Sequence, residues 1–235
     1  MLINLGSSGG MGIEITADGT TYRYNGTEIS NAYFKISPDG TTGWKLWIYS
    51  SVSIKFNYRV NVDICAVGKG GSGAGAGGSF EYGYYAGGGG GAGGMVTSLN
   101  TAVTIGAAYA VEITDSSTSI ADLGISASRG GHASGRSGGS SGGGGTGSGG
   151  GGRYINDHTY PATNIPPSDG DAGKYAFNDS TFDGVRYGHG GCGGDRTPES
   201  RGTIHPERGS GGAGGCSGVG PTGGIDGIVC MRNAA

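Results

Sequence analysis

Four histidines, His132, His158, His189 and His205, and four cysteines, Cys65, Cys192, Cys216 and Cys230, are the side chains of this sequence with the widest chemical range. Each histidine sits in a glycine-rich or loop context, and no GxSxG elbow or HExxH spacing is present, so neither an activated serine nor a helical zinc-hydrolase site can be assembled. The cysteines have no CxxC spacing. Two disulfides or a zinc site completed by His189 are the functional readings, but the spacings match no common zinc pattern, and small buried free thiols in a chain folded in a cytoplasm are favoured. Asp169-Gly170-Asp171 offers carboxylates to calcium without the rest of an EF-hand loop. A phosphate-cradling glycine loop needs a following helix, and none follows. The expectation is no catalytic residue, no metal, no cofactor and no enzyme.

Side chains suited to recognition cluster instead. The longest glycine-poor interruption within the glycine-rich region, Arg153 to Tyr187, carries Tyr154, His158, Tyr160, Tyr175 and Phe177, an aromatic set able to stack on sugar rings, with Asn156, Asp157 and Asn164 as hydrogen-bonding partners. The competing reading is that these aromatics cap and cover the surrounding glycines, the commoner use of aromatic side chains. A second polar loop, Asp195 to Arg208, places Arg201, His205 and Arg208 where an anionic glycan could be met; a plainly solvated loop is the competing reading. Tyr82, Tyr84 and Tyr85 precede a glycine tract and read as packing residues.

The elements that must hold these groups are unusual. Of 235 residues 58 are glycine, against a typical ~7%, and only 14% are charged, so an ordinary apolar core cannot account for most of the chain. Thirteen tyrosines, low charge and Val/Ile-rich segments separate it from a disordered linker. The formal net charge of −3 provides no field for nucleic acid, and Arg129-Gly130-Gly131 is a lone RGG triplet. No stretch approaches the ~18 apolar residues of a membrane span, and the N-terminus lacks a basic stretch leading into an apolar run, so the protein is expected to begin at Met1, made in a cytoplasm.

Residues 1–42 read as a small β module. Ile13 and Ile15 alternate with Glu14 and Thr16, Asp18-Gly19 offers a tight hairpin turn before Thr20 to Tyr24, and a further strand is expected from Ala32 to Ile36. From Trp44 three strands follow in period two, Trp44 to Tyr49, Val52 to Tyr58 and Val60 to Ala66, each expected to be half-buried. A hairpin is expected over Met95 to Ile113, a short strand near Leu123 to Ala127 and a closing strand over Gly227 to Arg232. Apolar residues nowhere recur at helical spacing.

Between these strands lie the densest glycine tracts, Gly87 to Gly94, Gly138 to Gly152 and Gly209 to Gly215. Ordering glycine costs on the order of 1–2 kcal/mol per residue, so a compensating structure is required. Left-handed helices of three residues per turn direct every N–H and C=O outward, and with no Cβ their axes approach closely enough for those groups to pair between neighbours. The expected fold is therefore mainly β with an irregular sandwich of polyglycine II helices and essentially no α-helix.

Four signatures, Gly43 to Gly71, Tyr84 to Leu99, Val103 to Ala108 and Gly223 to Arg232, resemble the glycine-rich domains of bacteriophage tail and fibre proteins. The resemblance covers residues 43–235. Val62-Asp63 and Gly227 to Arg232 match its entry and closing strands, although Lys69, Ser72, Ala74 and Ala76 interrupt the usual unbroken glycines and Cys65 and Cys230 stand where that family more often has aliphatic or aromatic residues. If those two strands are neighbours the cysteines come close, which alternation alone leaves open. The resemblance implies an adhesin on the exterior of a virion, made in the host cytoplasm, with the loops, Tyr154, Asn156, His158, Tyr160, Tyr175, Arg201 and His205 among them, meeting a host polysaccharide or protein receptor; residues 1–42 lie outside it, and their attachment to other tail proteins is expected from their position alone. It also admits a homotrimer, and the alternative of a purely architectural head-fibre, baseplate or decoration protein.

Overall fold

The computed structural model describes residues 2–3, 12–40, 43–79, 83–142, 148–150, 154–156, 163–165, 168–194, 206–214 and 220–234. The fold is mainly β, with 41% strand and, among the described residues, no helix of seven or more residues, so strands and glycine tracts build the body. In chain order the strands are β1 (Leu2–Ile3), β2 (Ile13–Ala17), β3 (Thr20–Tyr24), β4 (Ile29–Ser30), β5 (Phe34–Asp39), β6 (Gly43–Ile48), β7 (Val52–Phe56), β8 (Asn61–Val67), β9 (Gly77–Ser79), β10 (Gly83–Tyr85), β11 (Met95–Ala102), β12 (Ala108–Ile113), β13 (Ser117–Ile120), β14 (Ile125–Ser128), β15 (Tyr154–Asn156), β16 (Thr163–Ile165), β17 (Lys174–Tyr175), β18 (Arg186–Tyr187) and β19 (Ile228–Asn233). Apart from the parallel pair β1 and β3, neighbours run antiparallel.

Two large sheets carry the apolar core. One has the order β1-β3-β2-β7-β12-β13-β14 and the other β11-β8-β19-β6-β5-β4. Period-two alternation turns Ile13, Ile15, Ile54, Phe56 and Val111 of the first sheet into the same cluster as Phe34, Ile36, Trp44, Leu46, Ile48, Val62, Ile64 and Met231 of the second. Trp44 lies 5.9 Å from Phe56 by ring centroids and donates its indole N–H to the Tyr58 hydroxyl at 2.9 Å, so the largest core side chain brings its polar atom in satisfied. The β2–β3 hairpin turns at Asp18 (φ 46°) and Gly19 (φ 72°), two successive positive φ values that match the right-handed twist of its strands.

The boundary expected after residue 42 falls inside this sandwich: β2 pairs with β7, and β5 pairs with β6. Five short strands expose too much apolar surface to close on themselves, and joining the following strands buries it. The hairpin expected over Met95 to Ile113 does not form. β11 pairs with β8 in one sheet and β12 with β7 in the other, and the chain crosses between them with Val103 buried in the core. β8 is also not half-buried, because all its residues after Asn61 are enclosed. Its outer face, with Cys65 and Val67, joins Ile228 and Cys230 of β19 beneath Ala176, Phe177, Phe182 and Tyr187.

The sheet pairing runs on into the glycines. Val67 stands opposite Met95, the next bond is from the Gly68 N–H to the Gly94 carbonyl at 2.8 Å, and Gly71 to Gly91 and Ala74 to Gly88 follow at three-residue intervals.

Candidate functional site

The rigid support for any surface site is the tract 86–94, every residue of which is buried. Its N–H groups leave in three rows: Gly88, Gly91 and Gly94 donate to Gly135, Gly131 and Ser128, Gly90 and Gly93 donate to Gly212 and Gly209, and Gly89 donates to Gly150. Its carbonyls accept in three more, from Ala74, Gly71 and Gly68, from Gly139 and Gly142, and from Gly194 and Gly191. One nine-residue tract is thus bonded to six surrounding segments, over N···O distances of 2.7 to 2.9 Å. A Cβ built on Gly89, Gly91 or Gly93 would lie 1.9 to 2.0 Å from a neighbouring carbonyl oxygen, which is why these positions exclude every other residue.

From this support two hairpin-like excursions meet to form a small sheet of order β16-β15-β10-β9. Register sets Tyr85 opposite Tyr154 and Tyr84 opposite Ile155, while Asn156 stands opposite Thr163 and Ile155 opposite Asn164. Tyr154 and Asn156 therefore lie on a strand flanked by Tyr84 and Tyr85, which the sequence alone assigned to packing. The available signal was that residues 80–85 and 153–165 are both short aromatic interruptions between glycine tracts. His158, Tyr160, Arg201 and His205 lie outside the described residues.

Tyr175 is described, and it is separated from that sheet in the topology. β17 and β18 form their own ribbon, with Tyr175 opposite Arg186 and Lys174 opposite Tyr187. The Arg186 guanidinium lies 4.8 Å from the Tyr175 ring centroid, a cation stacked on an aromatic face, with exposed Lys174 beside it. This ribbon begins and ends the segment 174–187 that covers the six-stranded sheet. Phe177 (φ 57°) and Asn178 (φ 53°) take the left-handed conformation in succession, rare for a bulky residue, and the bend sets Phe177 against Phe182 at 5.1 Å and beneath the Arg232 guanidinium at 4.6 Å. Asp183 pins the far end: it accepts from the Trp47 indole at 2.8 Å, from the Val185 N–H at 3.0 Å and from the Tyr187 hydroxyl. Burial, with Cys230 and Asp183 nearby, pushes the Tyr187 phenol far up, so it acts as a donor at every physiological pH.

Charges around these elements are mostly paired. A hydrogen bond from the Thr181 N–H and the Arg232 guanidinium hold the Asp179 carboxyl at about 2, and Arg232 also grips Asp63 at 3.0 Å. Lys69 bridges Asp115 at 2.7 Å and Asp226 at 2.9 Å, which raises its ammonium pKa. The histidines that are described serve the backbone: His132 Nδ1 accepts from the Ser72 N–H and His189 Nδ1 from the Gly173 N–H, each at 3.1 Å. Among the described residues no group of three His, Cys, Asp or Glu side chains is placed to hold a metal ion. Among the described residues of the segment 174–187, the exposed Arg186 guanidinium stacked on the Tyr175 ring and the exposed Lys174 ammonium are chemically available at the surface. Compared with models of protein families, with curated proteins and with solved structures, the chain finds no match in any of the three.

Proposed function

We propose that this chain is a bacteriophage tail-tip or tail-fibre component, an adhesin in which a sandwich of polyglycine II helices presents aromatic segments to a host cell-surface receptor. The observation that carries the proposal is the six-way bonding of tract 86–94. Rows that recur every third residue are what a helix of three residues per turn produces, and bonding on all six sides is what close packing of such helices produces. A platform of this kind has side chains only where it is interrupted. Its interruptions include the sheet that pairs β10 with β15 and the ribbon with Tyr175 and Arg186. Stacking faces beside amides and cations suit sugars, and loops on a stiff scaffold bind with little ordering cost.

The signatures over residues 43–235 that resemble phage tail proteins supply the virion context and the option of a trimer, and the attachment role of residues 1–42 is inferred from their position ahead of them. Binding of the purified chain to a panel of bacterial cells, and to lipopolysaccharide, teichoic acid and capsular polysaccharide prepared from them, is the test. The adhesin reading expects one strain to bind and the triple variant Tyr154→Ala, His158→Ala, Tyr160→Ala to lose at least tenfold in affinity with its fold unchanged. Binding by no strain, from a chain that still assembles onto tail particles, would favour the architectural alternative.

A further inference from the structure

We propose that Cys65 and Cys230 form a cross-strand disulfide when the chain passes from a reducing to an oxidising medium, locking the closing strand to the strand that enters the glycine region. The two residues are direct register partners in the antiparallel pair of β8 and β19. Opposite residues in such a pair have Cα atoms ~4.5–5.5 Å apart and side chains leaving from the same face. That separation lies inside the ~4.4–6.8 Å that a disulfide spans. Both thiols are reduced and fully enclosed, in one cluster with Val67, Ile228, Phe177, Phe182 and Tyr187. The rest of the cluster is apolar and aromatic, and the thiols' own polar contacts are confined to the Tyr187 hydroxyl for Cys230 and to Thr97 and the Phe177 backbone for Cys65.

In the reaction each thiol loses its proton, the two S–H bonds give way to one S–S bond, and two electrons pass to a small-molecule disulfide such as oxidised glutathione, which leaves as two thiols. One cysteine first forms a mixed disulfide with the oxidant and the other then displaces the small thiol. Access is controlled by the cover. Burial pushes both thiols up, so the thiolate is scarce while segment 174–187 is seated, and oxidation proceeds at the rate at which that segment opens. The bond would join the two ends of the glycine region, which are held together otherwise by sheet hydrogen bonds.

The test uses the full chain, purified reduced and incubated with oxidised glutathione, once in buffer and once in dilute urea that loosens the cover. Alkylation under denaturing conditions and non-reducing peptide mapping then locate every sulfur. The expected result is a peptide containing Cys65 linked to one containing Cys230 and a fall of two in free thiols. The melting temperature should rise by on the order of 5–10 °C and revert with dithiothreitol. Cys230→Val, which keeps the site apolar, should abolish the link and the thermal response together, and Phe182→Ala should accelerate oxidation. Recovery of Cys65 and Cys230 singly alkylated after oxidation in both conditions, or linked to Cys192 or Cys216, would overturn the proposal.

Discussion

Replacing Gly91 by alanine should damage the protein far more than the change of one methyl group suggests. The added Cβ would lie 1.9 Å from the Ser140 carbonyl oxygen and 2.4 Å from its carbon, both backbone atoms that no rotamer change can remove. Ordinary contact needs roughly 3.4 Å, so the tract 86–94 and its neighbour would have to separate by about 1.5 Å. That shift pulls on the bonds from Gly139 to Gly89 and from Gly142 to Ala92 and tilts those that Gly91 makes with Gly131 and Gly71, all now at 2.8 to 2.9 Å. Losing three or four such bonds at ~0.5–1.5 kcal/mol each gives a cost of roughly 2–6 kcal/mol, a large share of a typical domain's stability. Gly223→Ala is the matched control: nothing lies within 4 Å of its Cβ position, so shortening the unfolded chain's freedom should leave it neutral or about 0.4–1 kcal/mol more stable. Thermal unfolding of the two variants beside wild type reads the difference, expected as a fall of roughly 5–20 °C for Gly91→Ala alone. Melting temperatures within 2 °C of each other would refute the close-packed account of the tract.

Three further outcomes are expected. Asp179, held at about 2, contributes stability that is fully present above its unfolded value near ~4 and is lost as pH falls through 2; the wild-type melting temperature should therefore drop across pH 4 to 2 more steeply than that of Asp179→Asn. Asp183→Ala leaves the Trp47 indole and the Tyr187 hydroxyl without their acceptor, at a cost of about 1–3 kcal/mol, read by urea unfolding with a shift in tryptophan emission. If Tyr175 and Arg186 contribute to glycan contact, Arg186→Ala should weaken binding to an anionic polysaccharide several-fold and reduce its salt dependence, measured by titration at two ionic strengths.

The strands of the sandwich were legible where one face is apolar: Ile13 and Ile15, Trp44 to Ile48 and Val52 to Phe56 alternate cleanly, and the Asp18-Gly19 turn announces its hairpin. Elsewhere the information is carried by distant partners. β8 reads as half-buried because the segment covering its outer face comes from residues 174–187, and no local pattern reports that. β13 passes unnoticed because its sequence, Ser-Thr-Ser-Ile, buries a Thr118 hydroxyl that finds no partner. The false hairpin of β11 and β12 arose from their closeness in sequence, whereas each strand completes a different sheet. Among the glycines, composition signals backbone-to-backbone packing but says nothing of which tract neighbours which, so Tyr84 and Tyr85 could not be placed beside Tyr154.

Amide hydrogen exchange across the glycine tracts tests the central claim most directly. Buried on all sides and bonded at every donor row, the amides of Gly88 to Gly91, Gly93 and Gly94 should be among the slowest in the chain, exchanging only with global unfolding and as slowly as those of β8 and β19. Exchange of those amides within seconds, while the sandwich strands stay protected, would mean that the tracts are not paired and would contradict the platform on which the proposed function rests.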